Sequence, residues 1–214
     1  GEVFREINAA GTTHLILDLR NNGGGSGDAT WALARFLIDT PVAFKPPLLR
    51  TYRFDDALRA TMTTWAEDAM DMPDDAFTQR DDGWFELKPE AAGRATSIAP
   101  HPDRFTGRIS VLIGPYNASG STMLIATLAE SDRVTLIGEP TGGSAEGPTA
   151  GVIFFLNLPN SGITINIPIL KERSPVNTFV PGKGVQPDVK IAPTVEAYLA
   201  GDDPALEYAL HRTP

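Results

Sequence analysis

The sequence predicts an α/β fold with two strand–helix–strand (βαβ) units, a C-terminal β-hairpin and an irregular insertion. Two apolar strand patterns, at 14–19 and 108–113, are each followed by a turn and an amphipathic helix pattern. Pro-Asn-Ser-Gly at 159–162 separates two further strand patterns, which is typical of a hairpin. Hydrophobic residues make up 42% of the chain and charged residues 21%, so it can bury a sizeable core.

The first βαβ unit begins near the start of the chain. Residues 2–10 have a helical pattern, and Gly11 is suited to end that helix. The mostly apolar run 14–19 is typical of a strand buried on both faces. It stops at a glycine-rich turn, 21–27, and a helix with an apolar stripe is predicted over 28–39.

The insertion, about 41–105, is the least regular part, with many acidic residues and several prolines. Within it, 55–70 is predicted as one amphipathic helix and 83–87 as a short strand.

The second βαβ unit follows the insertion. We predict a strand at 108–113, a helix over 120–131 and a strand at 134–137. The hairpin strands are 151–158 and 163–170, and a terminal helix is predicted from about 194 to 210.

Composition narrows the classes of function. The formal net charge of −9 disfavours a nucleic-acid-binding surface. The absence of cysteine excludes disulfides, thiolate metal sites and a cysteine nucleophile. The sequence holds no apolar run of about 18 residues, the length that a membrane span needs. No metal-binding motif is recognised, so no metal or cofactor is predicted.

Ser119 is the first candidate for chemistry. It lies between a predicted buried strand and a predicted helix, and Gly120 follows it directly. Unpaired N–H groups and the helix dipole favour negative charge at that point, as a nucleophile and its oxyanion require. Serine is also a preferred helix N-cap without any catalysis, and local sequence alone favours that alternative.

The glycine run 23–25 could bring a second N–H donor close to a ligand, because glycine has no side chain to hinder approach. The alternatives are a phosphate-binding turn or simply a tight loop. The run lacks the Gly-x-Gly-x-x-Gly spacing of dinucleotide-binding folds and has no Gly-Lys-Ser/Thr of a Walker loop.

A serine nucleophile needs a base. Among the histidines, His14 lies in or beside a strand, His101 in a proline-flanked loop and His211 at the terminus, so a structural role is favoured for each. A buried lysine with a lowered pKa could also act as the base.

Four segments together resemble the tail-specific, or C-terminal-processing, serine peptidase family. Asp-Leu-Arg-Asn-Asn-Gly-Gly-Gly at 18–25 is similar to that family's Asp-Leu-Arg-x-Asn-x-Gly-Gly signature. Asn-Ala-Ser-Gly-Ser at 117–121 resembles its Ser-Ala-Ser-Ala-Ser motif, whose middle serine matches Ser119. Residues 137–143 and 184–189 resemble the family's Gly-Glu-x-Thr-x-Gly turn and closing Gly-Val-x-Pro-Asp segment, in the same order.

The resemblance implies a crotonase/ClpP-like core that cleaves peptides, with Ser119 as the nucleophile. It further implies an oxyanion held by the amides of Gly120 and of Gly24 or Gly25. Many members of that family are exported, so a periplasmic or extracellular location is expected, although the chain shows no signal segment. Because the sequence begins inside a predicted helix, we interpret 1–214 as the catalytic core of a larger protein with upstream domains outside this chain.

The positions that hold the catalytic base in the family have different residues in this sequence. Well-known members use a lysine directly after the Thr-x-Gly turn, and Ser144 stands at the matching position. A tricorn-like branch uses an upstream histidine and a glutamate whose place here is taken by Pro181. Ser144, Glu146 and Lys171 are therefore candidates only for the neighbourhood of the site.

Three functions follow. The leading hypothesis is a serine endopeptidase that acts on peptides or unfolded proteins. Assembly of this protein into an oligomer is compatible with that hypothesis. The rival is a catalytically impaired peptide- or ligand-binding homologue on the same fold. A crotonase-like acyl-CoA enzyme would share the oxyanion chemistry but would not explain a serine at position 119.

Overall fold

The computed structural model describes residues 1–211, and these form two compact units. The first unit contains Gly1–Val42, Ser97–Glu146 and the chain from Ser174 onward. The second contains Ala43–Thr96 and Gly147–Arg173. Residues 97–105, which the sequence pattern grouped with the insertion, belong to the first unit.

Helices and strands alternate along the described residues. The α-helices are α1 Glu2–Ala9, α2 Gly27–Ala34, α3 Asp56–Arg59, α4 Pro89–Ala92, α5 Ser119–Leu128, α6 Val195–Ala200 and α7 Pro204–His211. Short 3-10 helices are formed by Glu67–Met70 and Asp74–Ala76. The strands are β1 His14–Asp18, β2 Val42–Ala43, β3 Lys45–Leu49, β4 Met62–Thr64, β5 Phe77–Gln79, β6 Phe85–Leu87, β7 Ser97–Ile98, β8 Arg108–Ile113, β9 Val134–Gly138, β10 Ile153–Asn157, β11 Thr164–Pro168, β12 Leu170–Arg173 and β13 Val189–Lys190.

The first unit is organised around a four-stranded sheet in the order β1-β8-β9-β13. Each of the three neighbouring pairs is parallel, and Ile16 pairs with Ser110 while Val111 pairs with Leu136. The mixed α/β class and the predicted β8-α5-β9 unit are therefore confirmed. Because parallel strands share one direction, the carboxyl ends of β1 and β8 meet at the same edge of the sheet.

Helices cover both faces of this sheet. On one face, Ile125 and Leu128 of α5, together with Leu37 just after α2, pack against the apolar side chains of β8 and β9. On the other face, Ala205 and Ala209 of α7 pack against Leu112 and Ile137. Burial on two faces accounts for the nearly continuous apolar sequence of β8, in which all residues after Arg108 are buried.

The prediction that β1 is buried on both faces is wrong. Its first four residues are half-buried and Asp18 is exposed. The reason is its place in the sheet, since β1 pairs with β8 alone and lies at an edge. The apolar run Leu15–Leu17 has the same composition as a central strand, so sequence did not reveal the edge position.

The second unit contains two antiparallel sheets, ordered β11-β10-β4 and β12-β3-β6-β5. The predicted hairpin is confirmed, because β10 and β11 pair in register with Phe155 opposite Asn166. Phe154 is fully buried at the centre of the first of these sheets, and Leu49 is buried in the second. The ends of the inserted segment meet, where the amide of Phe44 donates to the Thr96 carbonyl at 2.8 Å.

Two predicted helices are wrong in extent. Residues 55–70 form the single-turn α3, the strand β4 and a 3-10 turn instead of one helix, because Met62–Thr64 pairs with β10. The predicted 194–210 helix is two helices, α6 and α7. Gly201 breaks it in the left-handed conformation, φ 77°, which favours glycine, and Pro204 begins the next helix. No helix among the described residues is long and apolar enough to cross a membrane.

Candidate active site

Ser119 stands at the first position of α5, directly after the turn that leaves β8. The N-cap position belongs to Ala118, which has no side-chain oxygen to cap the helix. The alternative that Ser119 is merely the helix cap is therefore wrong. Ser119 is half-buried, so it lies neither in the packed core nor fully in solvent.

The backbone of Ser119 adopts a conformation that is unusual for its residue type. Its φ is 50°, and it is the one non-glycine residue with positive φ in the part of the chain that the structure describes. Such a conformation costs about 1–2 kcal/mol for an L-residue. Backbone strain of this kind is concentrated at functional sites, including the strand–turn–helix elbow that presents a nucleophile.

The glycine run at the end of β1 contacts the Ser119 turn. A Cβ built on Gly24 would lie 2.6 Å from the Ala118 carbonyl oxygen, 2.8 Å from the Ser119 Cβ and 2.9 Å from the Gly120 nitrogen. Any other residue at position 24 would displace this turn. The close approach brings together Ser119, Gly120 and the run 23–25, the residues that sequence matched to the nucleophile and oxyanion groups.

The two candidate amides of the run differ in availability. The Gly24 amide already donates to the Asn22 Oδ1 at 2.9 Å. The Gly25 amide has no acceptor within residues 1–211 and lies 3.7 Å from a Cβ built on Gly120. Gly120 is the second residue of α5, where an N–H group has no partner inside the helix. Geometry therefore favours Gly25 with Gly120 as the pair of free donors.

Gly120 stands where the resembling motif has alanine, and packing explains the change. A Cβ on Gly120 would lie 2.6 Å from the Thr30 Oγ1 of α2. That hydroxyl is itself fixed, because it donates to the Ser26 carbonyl at 3.0 Å. The Thr30 side chain thus occupies the space that an alanine methyl would need.

The turn after β9 brings Ser144 to the neighbourhood of the same segment. The Gly143 amide donates to the Asn117 carbonyl at 2.8 Å, and a Cβ on Gly143 would lie 2.9 Å from the Ala118 Cα. The Ser144 Oγ donates to the Glu146 carboxylate at 3.3 Å. The Gly182 amide donates to that carboxylate at 3.0 Å, so Glu146 links Ser144 to the loop that contains Gly182.

The other candidate bases have structural partners. The His14 Nε2 lies 2.8 Å from the Ser110 Oγ on the neighbouring strand. His101 stacks on Phe36 and accepts the Asp103 amide at Nδ1. Lys171 belongs to β12 of the second unit, where it pairs with Leu48. Within residues 1–211, no group of three His, Asp or Glu side chains could hold a metal ion.

An ion-pair network anchors the start of the glycine-rich loop. Arg20 donates to Asp18 and, through two nitrogens at 2.7 Å, to Asp203 at the start of α7. Hydrogen bonds from Arg20 hold the pKa of both carboxyls below the usual range, and the two carboxylates raise the pKa of Arg20. The Arg of the Asp-Leu-Arg motif thus ties β1 to α7.

Sequence analysis missed Asn117 as a site residue. Its side chain is fully buried and makes four hydrogen bonds around the turn, which are described below. The available signal was a carboxamide two residues before Ser119, where the resembling motif has serine.

A parallel α/β sheet with a strained serine at a strand–turn–helix elbow is typical of hydrolytic enzymes that present a nucleophile there. The chain belongs to peptidase family S41, whose family model matches residues 1–191. No curated protein sequence matches the chain.

Solved structures share the fold. A candidate peptidase from Parabacteroides merdae has a TM-score of 0.64 and 22% identity, covering 98% of this chain and 56% of that one. Mature CPAF complexed with lactacystin has a TM-score of 0.61 and 20% identity, covering 97% and 45%. The photosystem II D1 C-terminal processing protease has a TM-score of 0.53 and 22% identity, covering 91% and 38%. The chain thus spans 38–56% of the length of these structures.

Proposed function

We propose that this chain is the catalytic core of a serine endopeptidase that hydrolyses peptide bonds through an acyl-enzyme on Ser119. The observation that carries the proposal is the close approach of Gly24 to Ser119, which places the Gly25 and Gly120 backbone beside a strained serine. Membership of a peptidase family supports the same reaction class.

In this mechanism the Ser119 Oγ attacks the carbonyl carbon of the scissile bond while a base accepts its proton. The developing oxyanion receives hydrogen bonds from the Gly25 and Gly120 amides, and the α5 dipole adds favourable potential. Collapse of the tetrahedral intermediate breaks the C–N bond, and the amine leaves with a proton. Water then hydrolyses the ester and restores the Ser119 hydroxyl.

The position of the general base differs from that in the family members that use a lysine. Ser144 stands at the matching position, and its hydroxyl donates to the Glu146 carboxylate. Ser144 and Glu146, which belong to the same unit as Ser119, are therefore proposed as neighbours of the reacting serine. The proton acceptor itself is supplied from elsewhere in the protein.

The substrate class follows from the reaction. A peptide or an unfolded protein segment can adopt an extended conformation and add to a sheet edge through its backbone. One structural neighbour, the photosystem II D1 C-terminal processing protease, is named for processing the C-terminus of a protein. Export, which the sequence resemblance implies, belongs to this proposal.

The test uses a fluorophosphonate probe on the full-length protein. Labelling is expected on Ser119, located by mass spectrometry of the tryptic peptide, and Ser119→Ala should abolish it. Hydrolysis of a quenched-fluorescence peptide should fall by at least about 10³-fold in that variant. Ser161→Ala, in the hairpin of the second unit, is the control and should label like the wild type.

The second candidate is a peptide-binding homologue without hydrolysis. The observation in its favour is the absence of a lysine at position 144, with Ser144 bonded to Glu146 instead. Calorimetric binding of a peptide that mass spectrometry finds uncleaved, together with no labelling of folded wild-type protein, would replace the first proposal by this one.

A further inference from the structure

The Asn117 side chain is the centre of a buried hydrogen-bond network below Ser119. It is fully buried, and its Oδ1 accepts the Gly114 amide at 2.8 Å. Its Nδ2 donates to the carbonyls of Leu19 and of Asn22, the latter at 3.1 Å. Since a backbone carbonyl only accepts and a backbone amide only donates, these partners fix the orientation of the carboxamide.

Asn117 also contacts two further segments. Its Nδ2 lies 3.1 Å from the Ser121 Oγ on α5. Its carbonyl accepts the Gly143 amide from the turn that carries Ser144. One residue thus connects the end of β1, the Ser119 turn, the start of α5 and the turn after β9.

The connection reaches the oxyanion amides through Asn22. Asn117 holds the Asn22 carbonyl, and the Asn22 side chain in turn accepts the Gly24 amide at 2.9 Å. The next amide, that of Gly25, has no acceptor in residues 1–211. The contacts from Asn117 through Asn22 to Gly24 thus end beside the amide that is free to bind negative charge.

We propose that Asn117 is a positioning residue that holds the 22–25 loop against the Ser119 turn and so aligns the Gly25 and Gly120 amides. The role in acylation rests on the proposed function. Asparagine is required because the site needs an acceptor and two donors on one short planar group. Aspartate offers no donor when ionised, and serine offers only one.

The test compares full-length wild type with Asn117→Asp, which keeps the shape of the side chain. In the variant, a carboxylate would face the Leu19 and Asn22 carbonyls, and the loop should separate from the turn. For the fluorophosphonate reaction we expect the limiting rate of Ser119 labelling per folded molecule to fall by about 10²-fold, the scale of a misplaced oxyanion donor. The half-saturating probe concentration should change less than threefold.

Two controls separate positioning from stability. Asn21→Asp adds the same charge to the same loop and should label like wild type, because Asn21 is exposed and none of the hydrogen bonds of the Asn117 side chain within residues 1–211 goes to it. Thermal melting gives the folded fraction of each variant. An Asn117→Asp protein that is folded and reacts at the wild-type limiting rate overturns the proposal, since a purely structural role would lower the melting midpoint and leave that rate unchanged.

Hydrogen exchange tests the tether without any reaction. Asn117→Asp should raise exchange at least about tenfold in residues 20–26 and 114–121, and leave the 153–168 hairpin unchanged. Wild-type exchange at 20–26 in the variant overturns the proposal. If wild-type protein does not label at all, the endopeptidase proposal fails, and exchange at 20–26 alone decides whether Asn117 holds the loop.

Discussion

Two groups of glycines, one from each unit, serve different purposes. In the first unit, Gly24 and Gly120 beside Ser119, and Gly184 beside Thr141, have other backbone or side-chain atoms where a Cβ would be. In the second unit, Gly93 and Gly162 have no heavy atom within 4 Å of that position and are left-handed turn residues. The first group allows loops to touch, and the second allows the chain to reverse.

This difference shows where backbone segments approach each other most closely. In the first unit, Gly24 and Gly143 bring the loop after β1 and the turn after β9 against the Ser119 turn, and a methyl group on either would overlap its neighbours. In the second unit, Gly162 only has to allow a turn between the antiparallel strands β10 and β11. We therefore expect substitutions of glycine to have much larger effects around Ser119 than in the hairpins.

The largest effect is expected for Gly184→Ala. A Cβ there would lie 1.8 Å from the Thr141 carbonyl oxygen, between two segments joined by hydrogen bonds of Thr141 with Val185. Backbone must move, so we expect the free energy of unfolding to fall by about 3 kcal/mol or more. Urea denaturation followed by circular dichroism measures it.

Gly162→Ala in the hairpin is the matched comparison. Its φ of 69° strains alanine, but the space is open, so the loss should be about 1 kcal/mol. Equal losses in the two variants would remove the distinction between close contacts and turns.

An intermediate effect is expected for Gly120→Ala, where the obstacle is the Thr30 hydroxyl rather than backbone. We expect a loss of about 1–3 kcal/mol in unfolding free energy. Adding Thr30→Ala should recover part of it, because the double variant removes the atom in the way. Strict additivity in this double-mutant cycle would show that Thr30 is not the cause.

The smallest effect concerns ion pairs in the two units. Arg20 and Asp203 of the first unit are about two-thirds buried, whereas Arg53 and Asp74 of the second unit are mostly exposed. We expect Asp203→Asn to cost about 1 kcal/mol near neutral pH, after allowance for solvent screening. Asp74→Asn should leave the melting midpoint unchanged.

The pH dependence has a definite sign. The hydrogen bond from Arg20 lowers the pKa of Asp203 in the folded protein. The stabilisation of the folded protein by the Asp203 carboxylate is therefore complete above the pKa of an unfolded aspartate, about 3.9. It is lost as the pH falls through the lower pKa that Asp203 has in the folded protein. The difference in melting midpoint between wild type and Asp203→Asn should be constant from pH 5 to 7 and shrink below about pH 4. A difference that grows on acidification would contradict this assignment.

Sequence patterns predicted the elements whose periodicity is locally determined. The apolar strand β8, the helix α5 and the β10–β11 hairpin all lie within a few residues of their predicted positions. The interval 55–70 failed because Met62–Thr64 gains backbone partners from β10, about ninety residues away, and that pairing overrides local helical pattern.

For the candidate site, sequence alone identified the glycine run and Ser119, and family membership agrees with the motifs that carried them. Their roles in the reaction are still predictions. The preference for Gly25 over Gly24, and the network around Asn117, could not be predicted. They depend on which amide is already bonded across the turn, and local sequence does not contain that information.

The sequence by itself determined the strand–turn–helix order and placed a serine and glycines at the turns, since both follow from residue type and spacing. Only the tertiary structure decided that β1 is an edge strand, that Ala118 and not Ser119 is the helix cap, and that Thr30 fills the space beside Gly120. Each depends on contacts between residues far apart in the chain, whose distances are set by packing of the sheet and its helices rather than by local conformational preference.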